Sequence, residues 1–166
     1  GIFTNPGAAT GDHVKHLIID NVHVHHLYGG DNVGGIRIDG CESCVIKNST
    51  IHDIYDTRVS SNELTPEPYG LHAGVHGYGP RGSVIEKSTF FNLKRAIYQK
   101  QPNEYGDPSN VVRQNILRNV GVAYSLEVAG YKAPAANSAE FYGNLVINSG
   151  TAVRAALHET ASQSRS

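Results

Sequence analysis

The chain has 166 residues, enough for one domain with a hydrophobic core and too few to expect two. Its 14 basic and 15 acidic side chains leave a net charge of -1, so no field of one sign favours nucleic acid or an anionic membrane surface as a partner. No apolar run approaches the about 20 residues that cross a bilayer, and no membrane insertion is expected. The chain begins at Gly1, contains no methionine and shows no signal-peptide pattern, so we expect a processed product or a segment of a longer protein.

The composition favours strands and turns over helices. Glycine occurs 18 times, asparagine is abundant, and long stretches of Ala, Leu, Glu or Lys are few. We therefore expect an all-β protein.

A sequence block recurs five times along the chain. In chain order the copies are IIDNVHVHHL (18–27), VIKNSTIHDI (45–54), VIEKSTFFNL (84–93), VVRQNILRNV (111–120) and EFYGNLVINS (140–149). They start at positions 18, 45, 84, 111 and 140, so the offsets are 27, 39, 27 and 29 residues. Recurrence at about 20 to 50 residues is typical of repeat architectures such as solenoids.

Alignment of the blocks places similar residues in columns. One apolar column comprises Val24, Ile51, Phe90, Leu117 and Val146. A second comprises Leu27, Ile54, Leu93 and Val120 and ends at Ser149. A polar column between them comprises His26, Asp53, Asn92, Asn119 and Asn148. We expect its amides to hydrogen-bond from one copy to the next, as they do in Asn ladders.

A shorter element follows each block. Its copies are GIRID (35–39), GLHAG (70–74), AIYQK (96–100), AYSLE (123–127) and AVRAA (152–156). Each starts with Gly or Ala and continues with a bulky residue. This order suits a strand that enters a tight corner and then places a large side chain inside.

The repeat predicts a right-handed parallel β-helix of about five coils, with three short strands in each coil. One unit cannot bury its apolar face alone, so neighbouring units must stack. The solenoid would span residues 16–157, after an N-terminal segment (1–15) and before a polar C-terminal tail (158–166). A β-sandwich would not need columns in register, and the consensus of a leucine-rich repeat is missing.

The pattern V-I-x-N-S-x-I, at Val45 to Ile51, resembles the right-handed parallel β-helix proteins of the pectate lyase-like superfamily. These include polysaccharide lyases, epimerases and glycoside hydrolases. The resemblance covers roughly residues 16–157 and implies a secreted or cell-surface protein whose partner is a polysaccharide or oligosaccharide. The segment Tyr69-Gly70-Leu71-His72 starts like the Tyr-Gly-x-Asp-Pro-His motif of the epimerases but lacks its Asp-Pro-His, so no epimerase role is carried over.

Candidate site residues lie on the outward side of the third strand of each coil, because inward residues fill the core. The first outward column is expected to be Arg37, His72, Tyr98, Ser125 and Arg154. The second is expected to be Asp39, Gly74, Lys100, Glu127 and Ala156. Gly74 would leave an opening for a substrate to approach the backbone.

These residue types suit proton abstraction beside a carboxylate, the first step of β-elimination in a glycan that contains uronic acid. Arg37 or Arg154, or a bound Ca²⁺, would neutralise the sugar carboxylate, while Lys100, His72 or Tyr98 would serve as base or acid. Arg37, Lys100, His72 and Tyr98 are the candidate catalytic group. A surface ion pair between Lys100 and Glu127 with no catalytic role is the alternative.

Long insertions flank the same strand and predict a substrate groove. They are Tyr55 to Tyr69, Val75 to Gly82, Gln101 to Ser109 and Ala129 to Asn137. The candidate substrate-binding residues come from these insertions and from the two columns: Arg154, Glu127, Tyr69, His76, Tyr78, Tyr131 and Lys132.

Apart from the bound Ca²⁺ named above, no metal or redox site is predicted. The single pair Cys41 and Cys44 is interpreted as two small residues at a turn. His25 and His52 share an outward column, but a site for structural zinc needs a further ligand that the alignment does not supply.

Two other functions stay open. A non-catalytic structural or adhesive β-helix is favoured by the lack of a recognisable cap helix before His16, because an uncovered solenoid end is expected to stack on itself or on another chain. A glycoside hydrolase would need two carboxylates about 5 to 9.5 Å apart. On the outward columns only Asp39 and Glu127 qualify by type, and three coils separate them.

Overall fold

A computed structural model describes residues 1–4, 14–29, 33–56, 72–100, 109–129 and 139–158. All regular structure within these ranges is β-strand. The strands are β1 (Ile2–Thr4), β2 (Val14–Lys15), β3 (Ile18–Asp20), β4 (His23–Gly29), β5 (Gly34–Ile38), β6 (Cys41–Glu42), β7 (Val45–Lys47), β8 (Thr50–Asp56), β9 (Ala73–Tyr78), β10 (Val84–Glu86), β11 (Thr89–Lys100), β12 (Asn110–Arg113), β13 (Ile116–Ala129), β14 (Ala139–Tyr142), β15 (Leu145–Ile147) and β16 (Thr151–His158).

The strands pair in parallel with their equivalents in the neighbouring coils. One sheet has five strands in the order β14-β12-β10-β7-β3. A nine-stranded sheet holds the other two strands of each coil, because β11 and β13 continue from the second strand position into the third. The protein is a right-handed parallel β-helix, as the repeat predicts. The two strands of the predicted N-terminal segment pair with strands of the solenoid: β1 pairs with β5, and β2 pairs with β6.

The strand register confirms the predicted apolar columns. Ile51 pairs with Val24 on one side and with Phe90 on the other. Phe90 in turn pairs with Leu117, which is fully buried. Equivalent residues lie about 4.8 Å apart along a column, so these side chains pack directly on one another and form the core.

The polar column forms the corner between the second and third strands of each coil. All five of its residues have a left-handed backbone, with φ of 51° at His26, 53° at Asp53, 54° at Asn92, 51° at Asn119 and 48° at Asn148. Asn is among the residues that tolerate this conformation best, and its recurrence here has that physical reason. The predicted ladder forms between Asn148 and Asn119, whose amides are hydrogen-bonded at 2.7 Å.

A second polar ladder runs inside the solenoid. The Ser49 hydroxyl accepts from the Val22 N–H at 3.2 Å, and the Ser88 hydroxyl accepts from the Ser49 N–H at 3.1 Å. Asn115 Oδ1 accepts from the Ser88 N–H at 3.0 Å, and Asn144 Oδ1 accepts from the Asn115 N–H at 3.0 Å. The members are separated by 27, 39, 27 and 29 residues, which are the offsets of the sequence blocks.

Cys41 is the first residue of β6, Cys44 lies at the turn between β6 and β7, and a disulfide bond joins the two. Both are buried in the core. The interpretation of two small turn residues therefore fits Cys44 but not Cys41, and it omits the covalent bond.

Candidate functional site

The third-strand face is the outward side of β1, β5, β9, β16 and the C-terminal parts of β11 and β13. The register gives its first column as Phe3, Arg37, His76, Tyr98, Ser125 and Arg154. In the second column Tyr78, Lys100, Glu127 and Ala156 pair in turn. The backbone N–H of Tyr78 donates to Asp39 Oδ1 at 2.9 Å, so Asp39 lies beside Tyr78.

The predicted positions of His72 and Gly74 on this face are wrong. Arg37 pairs with His76 rather than His72, so the element in this coil is GVHGY (74–78) and not GLHAG (70–74). His72 is buried just before β9. A Cβ on Gly74 would lie 2.8 Å from the Ala96 carbonyl oxygen and 2.9 Å from Leu93 Cδ1. Gly74 therefore faces the packed interior and leaves no opening to solvent.

Two residues that were predicted in a loop lie in the site. His76 and Tyr78 belong to β9, and their ring centroids lie 4.9 Å apart. Arg37 lies over the Tyr78 ring, with 5.6 Å from its Cζ to the centroid, and its Nε binds Asp39 Oδ2 at 2.6 Å. Burial raises the pKa of Asp39 against the lowering effect of the Tyr78 N–H and Arg37.

Tyr98, Lys100 and Glu127 form one hydrogen-bonded group. Tyr98 is buried and its hydroxyl donates to Glu127 Oε2. Lys100 Nζ lies 3.5 Å from Glu127 Oε1. Burial, followed by the hydrogen bond to Glu127, raises the pKa of Tyr98 far above its ordinary value, so this phenol keeps its proton. The ion pair that the sequence offered as the non-catalytic alternative is thus present.

His76 is a neutral imidazole at the centre of these groups. Its side chain is fully buried, and neither ring nitrogen has a hydrogen-bond partner among the described residues. Burial, followed by the positive charges of Arg37, Arg95 and Lys100, lowers its pKa to about 3. The ring is therefore uncharged across the physiological pH range.

Arg95 is a site residue that the sequence analysis missed. It lies in β11 just before the predicted element AIYQK, and its Cζ is 5.2 Å from the centroid of the Tyr98 ring. Burial lowers its pKa, and the charge of Arg154 also lowers it. Arg154 itself is exposed on β16. The sequence signal that could have identified Arg95 is its position shortly after the corner residue of its block.

Three of the predicted substrate-binding residues lie outside the described residues: Tyr69, Tyr131 and Lys132. The roles proposed for the insertions around them stay predictions. Asp39 and Glu127 are separated by three strand steps, about 14 Å at the usual strand spacing. This backbone separation does not favour a glycosidase pair, whose carboxylates lie about 5 to 9.5 Å apart.

A second cluster of titratable side chains lies on β4 and β8. Here called the histidine cluster, it comprises His23, His25, His26, His52 and Asp53. His52 Nδ1 lies 2.5 Å from Asp53 Oδ2. Burial raises the pKa of Asp53, but hydrogen bonds from Tyr55, His52 and Asn92 outweigh this effect and leave the pKa below its ordinary value.

Within the described ranges, no helix is long and apolar enough to span a membrane. The model of a protein family described as right handed beta helix region matches residues 4–164. Comparison with curated proteins and with solved structures gave no match.

Proposed function

The chain belongs to the right-handed β-helix family, and from this premise we propose that it binds an acidic polysaccharide on the third-strand face and cleaves it by β-elimination. The observation that carries the proposal is the convergence of Arg37, Lys100 and Arg95 on a neutral His76 beside the Tyr98 phenol. Cations, an uncharged base and a protonated acid are the three parts that elimination next to a carboxylate needs.

The charge of the face favours an anionic ligand. Arg37, Arg95, Lys100 and Arg154 outnumber the carboxylates of Asp39 and Glu127 among the described residues of the site. Arg154 is exposed, and Arg37 and Lys100 are partly exposed, so a sugar carboxylate can reach them from solvent. A guanidinium can bind a carboxylate through two parallel hydrogen bonds, which also orients the sugar ring.

A residue of the third-strand face assists each bond change in the reaction. Arginine neutralises the uronate carboxylate and makes the adjacent C–H proton more acidic. An imidazole nitrogen of His76 takes that proton, and the released electron pair forms the carbon–carbon double bond as the glycosidic C–O bond breaks. Tyr98 donates its proton to the leaving oxygen, and the proton on His76 passes through solvent to the Tyr98 phenolate, which restores both groups. Lys100 and Glu127 position the phenol through the contacts described above.

Access to His76 requires a movement of its neighbours, because its ring is fully buried. Tyr78 is the partly exposed residue that contacts it. We propose that bound substrate displaces the Tyr78 ring and stacks against it. A substrate of this kind also implies a secreted or cell-surface protein.

The test measures retention and cleavage separately. Retention is followed by affinity electrophoresis in gels that contain pectate, alginate or chondroitin, and cleavage by the ultraviolet absorbance of the unsaturated product. H76Q should abolish cleavage and keep retention, whereas R154Q should weaken retention. R118Q is the matched control, because Arg118 is also an exposed arginine and lies over Phe91 on the second strand. No product from any of the three glycans would refute elimination, and equal retention of R154Q and R118Q would refute the binding face.

A structural or adhesive module is the second candidate, favoured by the last described coil. Val153 pairs with Tyr124 in the interior column, yet Val153 is 48% exposed and Tyr124 is 2% exposed. Leu145 and Tyr142 in the same coil are also largely exposed. Exposed apolar side chains in the last described coil suit further stacking. Sedimentation velocity over a range of concentrations tests this idea: association that V153K removes would support it, and a concentration-independent monomer would oppose it.

A further inference from the structure

We propose that the histidine cluster is a binding site for one zinc ion, with His26, His52 and Asp53 as the ligands. One ligand atom from each of these three residues lies within 4.8 Å of the others. The site is separate from the third-strand face, and nothing in the proposed reaction uses it.

The fold brings these residues together from two coils. β4 and β8 pair so that His25 lies directly beside His52, and their rings stack with centroids 5.2 Å apart. His26 and Asp53 are consecutive members of the left-handed corner column. The corner turns both side chains toward His52. His26 and Asp53 are therefore the further ligands that the sequence alignment could not place beside His52.

Each proposed histidine ligand has a second histidine at one of its ring nitrogens. His52 Nε2 lies 2.7 Å from His23 Nε2, and His26 Nδ1 lies 2.7 Å from His25 Nδ1. If His52 and His26 donate these hydrogen bonds, His52 Nδ1 and His26 Nε2 keep their lone pairs for a metal ion. Metal-bound histidines usually donate their other N–H in this way, which fixes the tautomer and the ring orientation.

Asp53 is also held in place for this role. Its Oδ1 accepts hydrogen bonds from the Tyr55 hydroxyl at 2.7 Å and from Asn92 Nδ2 at 3.2 Å, and its Oδ2 faces His52 Nδ1 at 2.5 Å. A metal ion would replace the proton between Asp53 and His52. Two ligand atoms bound about 2.0 Å from a tetrahedral zinc ion lie about 3.3 Å apart, so this pair must open by about 0.8 Å.

The donor set selects the class of metal. Two imidazoles and a carboxylate suit zinc and other late first-row divalent ions, whereas Ca²⁺ and Mg²⁺ prefer oxygen ligands alone. His26 is exposed and His52 and Asp53 are near the surface, so an ion can enter from solvent and keep water at its remaining position. Because the ligands come from β4 and β8, the ion would link the first coil to the second.

The test uses the full chain without a polyhistidine tag. Isothermal titration with Zn²⁺ measures stoichiometry and affinity, and Co²⁺ substitution reports coordination through its visible absorbance. We expect one ion per chain in the wild type. H26N and D53N should weaken binding at least about tenfold, and H23Q, which alters a hydrogen-bonding partner, by about 10- to 100-fold. Asn occupies the equivalent corner in three other coils, so H26N and D53N suit the backbone.

H16N is the matched control, since His16 is exposed and has a φ of 56° but lies outside the cluster. Its affinity for Zn²⁺ should equal that of the wild type. Thermal unfolding gives an independent readout: Zn²⁺ should raise the Tm of the wild type and of H16N but not of D53N. Absence of binding, or affinities of H26N and D53N equal to that of H16N, would overturn the proposal.

Discussion

The hydroxyl of Tyr98 donates a hydrogen bond to the carboxylate of Glu127, which lies one coil further along the solenoid. Tyr98 is buried, so water cannot replace this bond when it is lost. We expect Y98F to lower the free energy of unfolding by about 2 kcal/mol, the usual size for a hydrogen bond to a charged group. Urea denaturation measures this change. Y142F is the control: Tyr142 is 46% exposed and its hydroxyl accepts from the partly exposed Arg113 at 3.2 Å, so its loss should stay within about 0.5 kcal/mol. Equal losses in the two variants would contradict the special role of the buried pair.

Loss of a polar side chain from the interior ladder should lower the free energy of unfolding more than loss of a polar side chain at the surface. Asn115 is buried, accepts from the Ser88 N–H, and donates to the Ile85 carbonyl at 3.0 Å. N115A leaves both backbone groups without their partner, and we expect a loss of about 3 kcal/mol. Urea denaturation of N115A and S149A makes the comparison. Ser149 bonds locally to the Ile147 carbonyl at 3.2 Å at the surface, so a loss in S149A as large as in N115A would be unexpected.

The left-handed corner can be tested at one position with two substitutions. Asn119 has a φ of 51°, and both N119G and N119V remove its contact with Asn148. Only valine adds the steric cost of a left-handed backbone, about 1 to 2 kcal/mol. In urea unfolding, the free energy of unfolding of N119V should therefore be lower than that of N119G by about that amount. If the two variants are equally stable, the corner does not constrain the choice of residue.

Stability should fall as the pH falls below the ordinary pKa of histidine, because of His76. Its pKa is lowered to about 3 in the folded protein, so between about pH 6.5 and pH 3 the unfolded chain binds a proton that the folded chain does not. The contribution of His76 to stability is complete above pH 6.5 and declines by up to about 1.4 kcal/mol per pH unit through this window. Urea denaturation of the wild type and of H76Q at several pH values measures this contribution to the free energy of unfolding. The decline should be steeper in the wild type, and parallel curves would contradict the buried neutral state.

The apolar columns could be predicted because each coil repeats the same geometry. Phe90 and Leu117 occupy equivalent positions of the sequence blocks, and parallel stacking then makes them neighbours. The corner column is also visible in the sequence, since Asn recurs where the backbone is left-handed. The fold class therefore follows from periodicity alone.

The site was only partly predictable, because an insertion removes the register that the repeat supplies. Gly70-Leu71-His72 and Gly74-Val75-His76 both fit a small, large, polar order, and the spacing across the long insertion does not choose between them. Packing decides, since Val75 is fully buried between Ile36 and Ile97. The contact of His52 with Asp53 was hidden for another reason: it depends on the direction in which a left-handed corner turns a side chain.

The separation of 39 residues between Ser49 and Ser88, against 27 between Val22 and Ser49, shows that the interior contacts do not depend on coil length. The strands on either side of the longer segment, β8 and β9, keep the same vertical alignment with β11 of the next coil. A longer coil is therefore compatible with the same core. Segments from other proteins could be grafted between these two serines while the scaffold beneath them is preserved.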